Sequence, residues 1–159
     1  MKLIKATRRE FSFLMDREEK LSLFKLLEMY PLIPAAYQRL SKSDDRLENQ
    51  QLLEEALSEQ RRENKKKIAA LFTSGSAFRE QEEGCIFTLR ASRVDWLLQV
   101  LNDVNVGSWL ILGSPEQPRK MATPLTPKTA PFFWASNLSG HFQFALIQAM
   151  SGEADGVKE

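Results

Sequence analysis

The sequence predicts an α+β protein that is mainly α, a bundle of about four helices with a small two- or three-stranded sheet. Apolar residues recur at helical spacing over most of the chain. Short alternating runs around Phe11 and Phe87 are typical of strands. The length of 159 residues suits one domain, for which roughly 100 to 200 residues are usual. We therefore expect a single helical domain over residues 1–151 and a polar tail over residues 152–159.

The N-terminal segment is predicted to form a strand that leads into a helix. Residues 11–15 alternate between two faces, and residues 3–7 before them can complete a hairpin. Asp16 and Glu19 have the spacing of a capping box, in which each side chain accepts a hydrogen bond from the backbone of the other residue. A helix should therefore begin there and continue to Pro31.

A long second helix is predicted from about Asp45 to Phe72. Its apolar stripe is interrupted in the middle by Gln60 and Asn64. Such an interruption occurs where the core ends or where polar groups find partners. Two outcomes stay open: either the middle of the helix overhangs solvent, or Asn64 meets a counterpart across a helix pair or a dimer interface.

The second half of the chain is predicted to contain a strand, a central helix, a loop and a closing helix. A strand over residues 85–89 precedes a helix capped at Ser92, which is apolar around most of its circumference and should be the central buried one. Residues 113–131 hold five of the seven prolines, which favours a long surface loop. Helical spacing returns over residues 132–151.

Composition limits the possible partners and compartments. Lys and Arg number 22 against 21 Asp and Glu, so the net charge of +1 provides no global field for nucleic acid or membranes. With Cys85 as the only cysteine, neither a disulfide within the chain nor a zinc cluster of cysteines can form. We expect a cytoplasmic protein. No apolar segment approaches the ~20 residues that span a bilayer, so we expect no membrane partner.

The stretch from Trp96 to Asp103, Trp-Leu-Leu-Gln-Val-Leu-Asn-Asp, and the aromatic helix of residues 134–150 together carry a resemblance. They resemble a bacterial family catalogued as a domain of unknown function, whose members have a Trp-Leu-x-x-Leu-Asn-Asp helix in the middle; the specific part of the match is Trp96 and Leu101-Asn102-Asp103. The order of elements agrees over about residues 3–150. The resemblance implies no activity, catalytic residue or cofactor. The long charged second helix and the proline-rich loop depart from the family pattern.

A candidate binding site lies where the central and closing helices carry polar residues. His141 is at the edge of the apolar stripe, beside Trp134, and a catalytic base of this kind needs a partner such as Asp103 or Asn102. Cys85 would be the nucleophile of such a pair. The alternative is that His141 is a half-buried side chain and Cys85 a small apolar strand residue. Asn102 and Asp103 would then pair with another helix. We assign no catalytic residue, metal or cofactor.

A basic face on the second helix is a further candidate. It consists of Arg61, Arg62, Lys65 and Lys66. Phosphate contacts of a nucleic acid would need such a face. Acidic residues share it, however, which is typical of a solvated helix surface.

Taken with the missing catalytic motifs, these patterns favour a non-catalytic protein-interaction or scaffold domain that forms a homodimer. The candidate interface residues are Gln60, Asn64, Phe132 and Phe133. An enzyme or small-ligand-binding protein that uses the Asp103 and His141 region is the alternative. Nucleic-acid binding through the basic face is the third hypothesis.

Overall fold

The computed structural model describes residues 1–33, 47–114 and 125–152. The elements follow the order β1 (Lys2–Ala6), β2 (Glu10–Met15), α1 (Arg17–Met29), α2 (Leu47–Thr73), β3 (Phe78–Gln81), β4 (Gly84–Arg90), α3 (Ala91–Ile111) and α4 (Ala130–Ser151). Within these ranges there are four helices and one antiparallel sheet of four strands, so the mainly helical α+β class is confirmed. The predicted helix start at Asp45, much of the proline-rich loop and the tail after Gly152 lie outside the described residues.

The strands of the sheet are ordered β1-β2-β4-β3, and each neighbouring pair is antiparallel. β1 and β2 form the predicted hairpin. β2 pairs with β4 so that Phe13 lies opposite Phe87 and Phe11 opposite Leu89. Because strand side chains alternate between the two faces, these four residues share one face, and that face packs against the helices.

The sheet is larger than the sequence predicts, because β3 lies in a segment of mostly polar residues. Only Phe78 of this strand is buried, and the three residues after it are exposed at the sheet edge, so they show no apolar alternation. Gly84, the first residue of β4, has a φ angle of +149°. A Cβ atom at Gly84 would lie 2.1 Å from the carbonyl oxygen of Met15, so only glycine fits this close approach.

The first helix begins as predicted. The carboxylate of Asp16 accepts a hydrogen bond from the Glu19 N–H at 2.8 Å, and the Glu19 carboxylate accepts from the Asp16 N–H at 3.1 Å. The capping box is therefore complete. Further along α1, Leu23, Leu26 and Leu27 are buried in the core.

The start of α3 differs from the prediction, because Ser92 is not its cap. Strand β4 extends to Arg90, opposite Glu10, and the helix follows at once from Ala91 without a side-chain cap. The Ala91 N–H donates to the carbonyl oxygen of Arg9 at 2.8 Å. The β1–β2 turn thus supplies an acceptor that a capping side chain supplies in other helices.

The core lies between the helix-facing side of the sheet and helices α1, α3 and α4. Trp96 on α3 is buried, which agrees with its predicted central position. Phe142 on α4 is also buried. Helices α3 and α4 pack against each other, and the small residues Ser108 on α3 and Ala135 and Ser139 on α4 are fully buried.

Helix α2 packs unevenly against this core. Its C-terminal half carries the buried Ile68 and the partly buried Phe72, whose ring centroid lies 4.6 Å from that of Phe24. Residues 49–60 in its N-terminal half are mostly exposed. Of the two outcomes predicted for the middle of this helix, the second holds at Asn64, which is buried and meets a polar partner at the end of α1. Gln60 is exposed, as is most of the N-terminal half.

Candidate functional site

Asp103 is buried on α3 and holds the segment that follows α1. Its Oδ1 atom accepts a hydrogen bond from the Leu32 N–H at 2.6 Å, and the Ile33 N–H donates to the same atom at 3.3 Å. Hydrogen bonds to a charged acceptor contribute about 1.5–3 kcal/mol each, more than neutral ones. The carboxylate therefore accepts hydrogen bonds from two backbone N–H groups in the segment that follows α1.

Two side chains of α2 bind the same segment, residues 30–33. Asn64 Nδ2 donates to the hydroxyl oxygen of Tyr30 at 2.9 Å, and both residues are buried. Arg61 Nη2 donates to the carbonyl oxygen of Ile33 at 2.6 Å. The contact to this segment thus explains Asn64, one of the two polar residues that interrupt the apolar stripe of α2.

Gly107 allows α3 to approach the segment closely. It lies one turn after Asp103, and a Cβ atom there would be 2.4 Å from the Cβ atom of Leu32. We call this set of contacts the interhelical clamp. The clamp consists of residues 30–33 with Arg61, Asn64, Asp103 and Gly107.

The clamp borders a cavity of about 160 Å³ that brings four of the predicted site and interface residues together. They are Gln60, Asn64, Asn102 and Asp103. Gln60 and Asn102 are exposed, and Gln60 Nε2 lies 3.5 Å from Gln99 Oε1. Across the described ranges, no three His, Cys, Asp or Glu residues are placed to hold a metal ion. What the cluster does in the fold is join α2 and α3 to the end of α1.

The structure does not bring His141 and Asp103 together. His141 is exposed, and its Nε2 lies 3.6 Å from Glu19 Oε1. The Glu19 carboxylate also contacts the amino group of Met1 and completes the cap of α1. Asp103 instead accepts hydrogen bonds from Leu32 and Ile33, because the segment after α1 runs beside α3 and its backbone N–H groups need acceptors there. A surface contact such as the one between His141 and Glu19 contributes at most about 1 kcal/mol.

Cys85 is buried on the core side of β4. Burial raises the pKa of its thiol above the ordinary value of 9.0. Since the thiolate is the reactive form, a raised pKa makes the side chain a poor nucleophile. Its surroundings suit a small apolar residue of the strand.

The aromatic residues at the start of α4 are all half-buried. Trp134 packs against the core, and no hydrogen bond or ring contact to the clamp residues is seen for it among the described residues. Phe132 and Phe133 are partly exposed, and at 100° per residue Phe133 projects in nearly the same direction as Phe144. The predicted interface residue Phe133 therefore belongs to a longer surface.

Helix α4 has an outer face that sequence reasoning missed. Phe144, Ile147 and Met150 are 61%, 53% and 49% exposed. Residues of these types are usually buried. We define the α4 outer face as five residues that lie within about 80° of one another around the helix. They are Phe133, Asn137, Gly140, Phe144 and Ile147.

One signal in the sequence could have revealed this face. The 22 residues of Ala130–Ser151 include no Asp, Glu, Lys or Arg. A helix that packs on one side only normally carries charged residues on the other. The missing charges therefore mark a helix whose outer side is not adapted to water.

The basic face of α2 divides into two parts. Arg61 serves the clamp, whereas Arg62, Lys65 and Lys66 are exposed. Lys66 Nζ lies 3.4 Å from Glu63 Oε1. The mixed charges are those of a solvated helix surface.

Comparison with protein-family models, with curated proteins and with solved structures gave no match to this chain. None of the described helices, α4 included, combines the length and the apolar character needed to cross a membrane.

Proposed function

We propose that this protein is a non-catalytic protein-interaction domain that self-associates through the α4 outer face. The observation that carries the proposal is the exposure of Phe144 and Ile147 on a helix without Asp, Glu, Lys or Arg. Contiguous exposed apolar side chains usually mark an interaction site.

A second copy of the chain is the partner that this face favours. The face has no charged group with which to select a partner of opposite charge. Under two-fold symmetry, by contrast, an apolar face is complementary to itself. The interfaces of homodimers are also more apolar than those of other complexes.

The α4 outer face alone is smaller than a standard dimer interface. At 1.5 Å per residue α4 is about 33 Å long, and a face about 10 Å wide covers about 330 Å². A standard interface covers about 800 Å² per partner. The adjoining side of α3 extends the surface, since Asn105 Nδ2 donates to Gln143 Oε1 and Asn105 Oδ1 accepts from Ser136 Oγ, each at 3.0 Å. Trp109, one turn after Asn105, is 41% exposed.

The contacts that α2 makes within the chain argue against an interface on that helix, and we therefore place the interface on α4. Asn64 donates to Tyr30 within one chain, so a symmetric Asn64 pair is not needed to satisfy its amide. Gln60 contacts Gln99 of the same chain. Of the four residues predicted for the interface, Phe133 remains central, and Phe132 lies at its margin.

Sedimentation equilibrium over a hundredfold concentration range tests the proposal. We expect the average mass of the wild type to rise above 18.2 kDa with concentration. Phe144→Asp should remain at that mass, because a carboxylate cannot be buried there without a partner. The matched control is Leu52→Asp, at a 63% exposed leucine of α2, which should behave as the wild type. A wild type that stays at 18.2 kDa throughout excludes the proposal.

The family resemblance and the cytoplasmic location stay predictions. No contact in the described residues favours the two alternatives, a ligand site at Asp103 and His141 or nucleic-acid binding by α2.

A further inference from the structure

We infer that two copies pair through antiparallel α4 helices, with Phe144 of each copy seated over Gly140 of the other. The inference rests on the proposed self-association. It adds the orientation of the two helices and the residues that specify it.

Gly140 is hard to explain within one chain. It lies in the middle of α4, where glycine is less favourable than alanine because it loses more backbone freedom on folding. A Cβ atom at this position would meet no described neighbour within 4 Å. Gly75 and Gly152 also have open space, but their φ angles of +63° and +72° account for glycine there. Gly140 has no such φ angle.

Gly140 and Phe144 together form a hollow and a projection on the same face. They are four residues apart, which is about 6 Å along the helix axis and about 40° around it. The ring of Phe144 is 61% exposed, whereas Gly140 leaves the backbone open. An exposed ring next to an uncovered stretch of helix backbone is a shape that a second copy can complement.

A two-fold axis midway between these residues makes both contacts at once. Phe144 of one copy then lies opposite Gly140 of the other, and the symmetric contact follows. The same axis places Ile147 opposite Asn137 and Ser151 opposite Phe133. The steps between residues 133, 137, 140, 144, 147 and 151 alternate between four and three, which keeps one stripe facing a partner helix.

A parallel pair does not use this complementarity. It would place Phe144 against Phe144 and Gly140 against Gly140, so that the two rings meet while the two hollows stay empty. Packing without voids therefore favours the antiparallel orientation.

Disulfide cross-linking distinguishes the two orientations. Asn137→Cys and Ile147→Cys are prepared as separate variants, then oxidised alone and as a mixture. In the antiparallel pair identical positions lie about 15 Å apart along the axis, beyond the ~7 Å Cα separation that a disulfide spans. We expect a cross-linked dimer in the mixture and none in either variant alone. The wild type is the control, because its only cysteine, Cys85, is buried.

Any other result of the cross-linking experiment contradicts the inference. Cross-links in the single variants indicate a parallel pair, and they leave self-association itself intact. If the mixture gives no cross-link although the wild type associates, another surface forms the contact. A wild type that stays at 18.2 kDa at every concentration excludes both the inference and the proposed function.

Gly140→Ala provides a second test, because it should stabilise the monomer and weaken the dimer. The midpoint of thermal unfolding of the dilute monomer should rise, because alanine favours the helix. The dissociation constant of the dimer should increase at least tenfold, because the added methyl group fills the hollow. Leu21→Ala, at a 59% exposed leucine of α1, is the control that should leave the dissociation constant unchanged. A Gly140→Ala variant that associates as tightly as the wild type contradicts the inference.

Discussion

The interhelical clamp and the α4 outer face place polar and apolar side chains in opposite ways. In the clamp, Asn64 and Asp103 are buried and hydrogen-bonded to residues 30–33. On the outer face, Phe144 and Ile147 are exposed on a helix without charges. The polar residues that the sequence singles out hold the chain together, whereas two large apolar residues of α4 are available to another molecule.

The comparison separates the stability of the monomer from its association. Changes in the clamp should alter the free energy of unfolding, since its groups are satisfied only in the folded chain. Changes on the outer face should alter association and leave the monomer nearly unchanged.

Two phenylalanines of α4 give the largest expected contrast. Phe142 is 1% exposed and Phe144 is 61% exposed. Phe142→Ala should lower the free energy of unfolding by about 3–5 kcal/mol, because it removes buried apolar contact and leaves a cavity. Phe144→Ala should change it by no more than about 0.5 kcal/mol. Urea denaturation at low protein concentration measures both values, and equal losses would show that the two regions do not differ.

Asp103→Ala should have the next largest effect in the monomer. It leaves the N–H groups of Leu32 and Ile33 without their acceptor, which should cost about 2–3 kcal/mol. Asp95→Ala is the control, since Asp95 is exposed on the same helix. The amide resonances of Leu32 and Ile33 should shift in the first variant alone. If both variants unfold at the same urea concentration, Asp103 does not act as a clamp residue.

Of the clamp groups tested, the Tyr30 hydroxyl should contribute least to the free energy of unfolding. Tyr30→Phe removes the acceptor of the Asn64 amide and should cost about 1 kcal/mol. Asn64→Leu removes the donor, and the double variant should lose less stability than the sum of the two single changes. A strictly additive cycle, measured by urea denaturation, would mean that this hydrogen bond contributes nothing.

Much of the fold was predictable because local signals agree with tertiary contacts. The capping box of Asp16 and Glu19 and the central position of Trp96 are examples. Strand β3 was not predictable from alternation, because its residues after Phe78 lie at an exposed edge. The expected cap at Ser92 failed because a backbone acceptor from another turn replaces it.

For the candidate site, the sequence indicates which residues need hydrogen-bond partners but not which residues those partners are. Asn64 and Asp103 interrupt apolar stripes, which signals a polar contact. The partner of Asp103 at Leu32 is 71 residues away in sequence, and no local pattern connects the two. On α4, helical spacing places the buried Phe142 on the same side as Leu138, but apolar residues also lie on the opposite side, and periodicity does not reveal that Phe144 there stays exposed.

Hydroxyl-radical footprinting of the wild type at two concentrations tests the central claim most directly, because it reports which side chains lose solvent contact on association. We expect oxidation of Phe144 and Ile147 to fall several-fold at the higher concentration, while that of Leu52 on α2 stays constant. Protection of Leu52 with unchanged oxidation of Phe144 would contradict the account, since it would place the contact on α2 and not on the α4 outer face.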